Sequence, residues 1–297
     1  MTFPAKFFGA CAAAALLAAC GGGGGGGPQT EFTSQQLDSR VPGESDIAAV
    51  GLLVDTDGNP TDTSVAFGKL DRVARTLTIG NVVVTGNPNN TVWDGDDYRV
   101  ERIPGFPNRA FLIPVTIADK ITATNPDGGY ETQYIIGVVS RTQDLPTGGT
   151  VIFDGTARIG GILAEPSRII DANGVMTLTA RFAGDRGVDV NLTGLSTGIF
   201  NRLEISNLEI VNSNGSATFQ DSSATTIRYL NGNTVVSSPI AGTVEQFVDG
   251  AFYGGLPNVI GPIEVGGVFT IVGTDQNGNT VGNIYGIFEG LRRQTTP

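Results

Sequence analysis

From Ile47 onward, apolar residues recur at every second position or in short continuous runs, with turn residues breaking them at close intervals. That period belongs to strands, whose successive side chains point to opposite faces. The spacing predicts strands near 47–54, 64–70, 74–84, 98–103, 109–117 and 132–140. Between them lie DTDGNP, TGNPNN, WDGDD and TNPDGG, rich in residues that pre-set a turn or tolerate positive φ. Leu145 to Gly149 punctuates the chain a second time, and the rhythm beyond it is more regular. Strands are expected near 150–158, 174–182, 187–193, 203–211, 216–221, 224–230, 242–253, 264–272 and 280–289. Hairpin turns are expected at Asn173-Gly174, Asn214-Gly215, Asn231-Gly232 and Asn277-Gly278. No segment carries a convincing helical stripe. The expected class is all-β: an N-terminal antiparallel β domain over 46–145, then an eight-stranded antiparallel up-and-down β-barrel over 146–297.

The first forty-five residues have a different texture. One cation, Lys6, precedes an apolar run from Phe7 to Ala19, the pattern of a secretory signal peptide and short for a membrane span. Leu17-Ala18-Ala19-Cys20 resembles the lipobox of bacterial lipoproteins, which implies removal of residues 1–19 and a lipid such as palmitate on Cys20. Seven glycines, Gly21 to Gly27, and a polar stretch to Ser45 then read as a flexible tether over 20–45, with an r.m.s. reach of roughly 25 to 30 Å. Position 21 is not the Asp that marks inner-membrane retention in such lipoproteins, so the resemblance implies the outer membrane. The membrane is thus an expected partner, reached through Cys20.

Composition narrows the chemistry. The chain has no His and two Cys. Export removes Cys11 and lipidation occupies Cys20, so no thiol is left for a disulfide, a metal or a nucleophile. Without imidazole there is no Ser-His-Asp or Cys-His arrangement and no His-based metal site. Nucleophile-elbow, phosphate-loop and dinucleotide motifs are also missing, so the reading is non-catalytic, with no catalytic residues, no metal and no cofactor. A net charge of −11 with sparse, scattered Lys and Arg argues against nucleic acid.

The last fifty residues carry the sharpest pattern. Val248-Asp249-Gly250-Ala251-Phe252-Tyr253-Gly254, followed by Glu264-Val265-Gly266-Gly267-Val268-Phe269, resembles the G-x-F-Y-G … E-x-G-G-x-F signature of the transferrin-binding protein B barrel, a family that includes factor H binding protein and haem-capturing relatives. Tyr285 to Arg292 is similar to its last strand, and Gly148 to Thr156, more weakly, to its opening one. The family's Pro after F-Y-G is Gly255 here, and nine residues separate Gly254 from Glu264, so that loop is altered. The resemblance implies a handle-like N-terminal domain and a surface-displayed lipoprotein. Its partners would be a protein or a haem-like or iron-related ligand and an outer-membrane receptor, in iron acquisition. A periplasm-facing structural or envelope-assembly lipoprotein is the alternative. In physical terms the signature is a barrel-closing element: glycines 250, 254, 266, 267, 286 and 290 allow close strand approach, while Phe252, Phe269 and Phe288 fill the interior.

Other candidate sites read as ordinary structure. Asp55-Thr56-Asp57-Gly58-Asn59 and Asp275-Gln276-Asn277-Gly278-Asn279 alternate oxygen ligands, but their twelfth places are Ala66 and Gly286 rather than Glu, so hairpin turns are expected. Asp94, Asp96 and Asp97 beside Trp93 read as an exposed acidic loop. Tyr98, Tyr130, Tyr134, Tyr229, Tyr253 and Tyr285 are the potential haem-iron ligands, yet no spacing nominates a pair. Met176 reads as packing. The ligand-binding residues are unknown at this stage.

Overall fold

The structure, a computed structural model, describes residues 44–54, 59–71, 73–86, 92–107, 109–119, 131–164, 167–254 and 261–294. Cys20 and residues 1–43, which include the segments read as leader and tether, lie outside them. The first strand begins at Glu44, so Glu44 and Ser45 belong to it rather than to the tether. No helix among the described residues is long and apolar enough to cross a membrane.

Eight strands, β1 (Glu44–Val54), β2 (Pro60–Asp71), β3 (Thr76–Ile79), β4 (Val82–Thr85), β5 (Val92–Asp94), β6 (Tyr98–Arg102), β7 (Leu112–Asp119) and β8 (Glu131–Val138), form a closed antiparallel barrel in sequence order. Closure comes from β1, which pairs β2 on one edge and β8 on the other. The expected single strand at 74–84 is two, β3 and β4, because Gly80 takes a positive φ of 54° and turns the chain. The WDGDD segment begins as a strand, β5, and the turn follows it, with the Gly95 N–H donating to the Tyr98 carbonyl.

A short connector leads to the second sheet: β9 (Thr150–Ala164), β10 (Ser167–Arg181), β11 (Gly187–Thr193), β12 (Arg202–Ser213), β13 (Ser216–Gln220), β14 (Thr226–Asn231), β15 (Thr234–Val236), β16 (Thr243–Tyr253), β17 (Glu264–Thr274) and β18 (Thr280–Arg292). Eight of these, all but β14 and β15, run up and down in an antiparallel ring that closes where β18 pairs β9. The β14–β15 hairpin is attached to the edge of β12. The connector is itself bound to this ring: Val139 bridges Tyr253, Arg141 bridges Ser216, and the Ser140 N–H donates to the Phe252 carbonyl.

One expected turn is absent. Asn173-Gly174 lies in mid-strand, paired with Arg158 and Ala157, and the β9–β10 ladder runs unbroken from Arg181 to Ser167. The glycine serves packing instead, since a Cβ there would lie 2.6 Å from Leu195 Cδ2 and 2.7 Å from the Thr193 carbonyl oxygen. Asn214-Gly215 does form a hairpin, with both residues at positive φ.

The second barrel is filled by aromatics, as its signature implied. Phe153, Phe219, Phe252, Phe269 and Phe288 are fully buried, and the Phe219 ring lies 5.4 Å from Phe252 and 6.4 Å from Phe288. Each of three rings sits over the glycine opposite it in register: Phe219 over Gly250, Phe288 over Gly267 and Phe269 over Gly286. A Cβ on Gly250 would fall 1.9 Å from the Phe219 ring. The alternation of Gly and Phe thus sets how closely large rings can pack within a small closed barrel.

The alternate residues of the same strands point out of this barrel and are buried as well. Ala251, Tyr253, Val268 and Ile287 join the apolar cluster formed by Ile47 to Val50, Leu112, Ile135 and their neighbours in the first barrel. A Cβ on Gly266 would meet Ile135 at 2.7 Å, and one on Gly137 would meet the Tyr253 ring at 2.5 Å. The two barrels therefore pack wall against wall, β16–β18 on β2, β1, β8 and β7. A strand covered on both faces reads as a nearly continuous apolar run, which is why ten of the eleven residues of β17 are buried.

Candidate functional site

Two carboxylates interrupt this apolar wall. Glu264 opens β17 and Glu289 sits near the end of β18, and both are essentially inaccessible, at 1% and 0% exposure. Buried acids need partners. Theirs come from the segment that leads into β7. The backbone N–H of Ala110 donates to Glu264 Oε1 at 2.8 Å, and those of Phe111 and Leu112 donate to Oε2 at 2.9 and 3.0 Å. The Arg109 guanidinium grips Glu289 through Nε and, at 3.1 Å, through Nη2. Thr156, opposite Glu289 on β9, donates its hydroxyl to Oε1 at 2.8 Å. Burial pushes the Glu264 carboxyl up to about 7, although the three N–H donors and the Arg109 charge pull it down. At the other end of the junction the Thr63 hydroxyl donates to Asp249 at 2.8 Å, and burial lifts Asp249 to about 6, with Asp221 and Asp62 adding to the rise. The cluster is an acid-rich fastening between barrels.

Where the two walls diverge, an open groove of about 210 Å³ remains. Gln133 of β8 lines it from the first barrel, and Tyr285, Arg158, Gly160, Ile169 and Asp171 line it from the second. The Tyr285 ring lies over Gly160, where a Cβ would come within 2.7 Å of it. Burial raises the Tyr285 hydroxyl above its usual range. Arg158 and Asp171 form an exposed pair at 3.3 Å on the rim. Beside them Ile162 and Ile169, opposite each other in register, are 50% and 79% exposed.

The residues singled out in the sequence are dispersed. Cys20, Tyr130 and Asp55 to Gly58 fall outside the described residues. Asp275 turns its carboxylate onto its own loop, accepting the N–H of Asn277 and Asn279 and the Asn279 side-chain amide at 2.8 to 2.9 Å, as a hairpin turn requires. Asp96 and Asp97 are exposed in the turn after β5. Tyr98 and Tyr134 interact within the first barrel, and Tyr229 packs edge-on to Phe200 at 5.3 Å. Tyr253 is enclosed in the junction, its hydroxyl donating to the Ile135 carbonyl at 3.4 Å. Met176 is fully buried in the second barrel. No cluster of three or more His, Cys, Asp or Glu suited to a metal occurs among the described residues. Arg109 had no motif to announce it, and Glu289 appeared only as part of a strand similar to the barrel's last. A carboxylate inside the runs EVGGVF and IFEGL, which have no solvent-facing alternation, was the available signal.

No protein-family model matches the chain, and no curated protein matches it in sequence. Solved structures do. A double mutant of the vaccine antigen transferrin-binding protein B from Haemophilus parasuis Hp5 superposes with a TM-score of 0.50 at 14% identity, over 85% of this chain and 46% of that one. Isotype 1 transferrin-binding protein B from serogroup B Neisseria meningitidis is similar over 84% of this chain and 44% of that one, with 14% identity and a TM-score of 0.44. The chain has a fold like that of part of the Haemophilus parasuis transferrin-binding protein B, as its signature implied, and spans less than half the length of those two structures.

Proposed function

We propose that the protein is a non-catalytic binding lipoprotein of the outer membrane, displayed at the cell surface. In this reading residues 1–19 are removed on export and Cys20 carries the lipid. The Gly-rich segment tethers the folded body, which binds a protein or a haem- or iron-related ligand. The observation that carries the reading is the two-barrel fold shared with transferrin-binding protein B, found in a chain that also has a lipobox-like Leu17-Ala18-Ala19-Cys20. A body with no His and no thiol after export would hold iron through Tyr or carboxylate, or receive it on a partner protein. The groove between the barrels, with Ile169 and Tyr285, is the contact surface we assign to a protein ligand.

The reading is tested on intact cells and on purified protein. Protease shaving should remove the body from cells expressing the full chain, and Cys20→Ser should release it from the membrane. A protein untouched by protease would favour the periplasm-facing envelope role instead. Titration of the purified chain with haemin and, separately, with iron-loaded transferrin should give saturable binding to one of them that Ile169→Asp weakens at least tenfold. Binding of neither would overturn the assignment of ligand class.

A further inference from the structure

The β9–β10 hairpin outruns the ring it belongs to. β10 pairs β9 along its whole length, from Ser167 to Arg181, but β11 covers its other side only from Val175 onward. β11 ends at Thr193 because Gly194 takes a positive φ of 72° and turns the chain away, and Leu195 then closes onto Gly174. Among the described residues, 168–173 therefore form a sheet edge with a strand on one side only. Every second residue of such an edge directs its backbone N–H and C=O away from the sheet, where another strand can take them. Natural edges are commonly blunted by Pro, by a bulge or by a covering element. This one reads Arg-Ile-Ile-Asp-Ala-Asn, in unbroken register with β9.

The side chains on this edge define what fits it. Ile169 is 79% exposed on the outer face and stands opposite Ile162 of β9, itself 50% exposed. Asp171, two residues on, is held by Arg158, and Gly160 and Tyr285 carry the same surface into the groove between the barrels. Arg168 is exposed, lies against Gly198 of the β11–β12 loop and pairs with no carboxylate among the described residues. Arg158, Arg181 and Arg202 each have their acid, so the charge of Arg168 is the uncommitted one at this end of the hairpin. We propose that residues 168–173 accept an extended segment of a partner protein as an added strand, with an acidic side chain of that segment on Arg168 and an apolar one beside it on Ile169 and Ile162. This rests on the reading of the groove as the contact for a protein ligand, and it specifies how that contact is made. Main-chain hydrogen bonds along the edge supply affinity, and the order of acidic and apolar residues supplies selectivity.

The probe is the peptide acetyl-Thr-Val-Thr-Val-Glu-Val-Thr-Val-Thr-amide, whose symmetric order sets Val-Glu-Val against Arg168 and Ile169 in either strand direction. Amide hydrogen exchange of the purified chain should slow about tenfold at alternate residues within 168–173 when the peptide is present at ten times its dissociation constant. The fully N-methylated peptide keeps the side chains but cannot donate, and it should bind at least tenfold more weakly. A peptide with Lys in place of Glu should bind the wild type about fivefold more weakly, and Arg168→Glu should reverse that preference. Binding without slower exchange at 168–173, equal binding of the methylated peptide, or no saturation by about 5 mM would overturn strand addition. A protein ligand that Ile169→Asp weakens, but that leaves exchange at 168–173 unchanged, would overturn strand addition and keep the groove as the contact. A ligand indifferent to Ile169→Asp would overturn both.

Discussion

The two barrels are built to different standards. In the second, β9 and β10 run for fifteen residues each, and the interior is filled by closely packed phenylalanines drawn largely from its own strands. In the first, β3 to β6 have only three to five residues each, and part of the apolar cluster belongs to the neighbour: Ala251, Tyr253, Val268 and Ile287 complete it from outside. The second barrel thus fills its interior from its own strands, whereas part of the first barrel's apolar cluster is supplied by its neighbour. Closure alone removes open sheet edges, but it does not supply a core of stabilising size. The signature strands β16 to β18 serve both bodies at once, their Phe and Gly facing inward and their Tyr, Val, Ile and Glu facing the partner wall.

The largest effect is expected where the second barrel's own core is cut. Phe252→Ala should cost about 3 to 5 kcal/mol and lower the unfolding midpoint of the second barrel, as followed by denaturant titration with far-UV circular dichroism. If the first barrel is completed by contact, this change should unfold it too. Glu289→Ala should cost a smaller amount, about 2 to 3 kcal/mol, because it leaves the largely buried Arg109 charge unpaired. Its effect should fall on the first barrel, leaving the second near its own midpoint, which limited proteolysis followed by mass spectrometry would show.

The pH dependence sharpens the same contrast. Glu264 and Asp249 both have carboxyls raised by burial, to about 7 and about 6. A raised carboxyl binds its proton more tightly in the folded state, so its contribution is fully present below the ordinary carboxylate range and is lost as pH rises through 6 to 7. Each is worth on the order of 3 kcal/mol over the full range. The midpoint of the first barrel should accordingly rise on going from pH 8 to pH 5, measured by urea titration at each pH. At the small end, Arg158→Ala on the exposed groove rim should alter stability by less than about 1 kcal/mol, checked by the same titration.

Much of this architecture was legible in the chain, and most exceptions depend on partners distant in sequence. Strand period, inward-facing Phe252, Phe269 and Phe288, and the hairpin at Asn214-Gly215 depend on local sequence, and they appear as read. Asn173-Gly174 carries the same local turn chemistry and yet stays in a strand, because Thr193 and Leu195 of a neighbouring segment leave no room for a Cβ. Gly80 turned the chain within what read as one strand, since Leu77 and Ile79 before the turn and Val82 to Val84 after it are all apolar. The pairing of Arg109 with Glu289 spans 180 residues, beyond any spacing argument. Glu264 was visible as part of a barrel signature, but its acceptor role belongs to a partner wall that the signature does not encode. Cys20 remains a reading of sequence alone.

The dependence of the first barrel on the second can be measured with a reporter already present. The chain has one Trp, and Trp93 lies on β5 of the first barrel. In a urea titration, tryptophan fluorescence follows that barrel, while far-UV circular dichroism follows both. The account predicts two transitions that do not coincide, the fluorescence change complete while much of the circular dichroism signal persists. Superimposable curves, or a fluorescence transition at higher urea than the main circular dichroism transition, would contradict it.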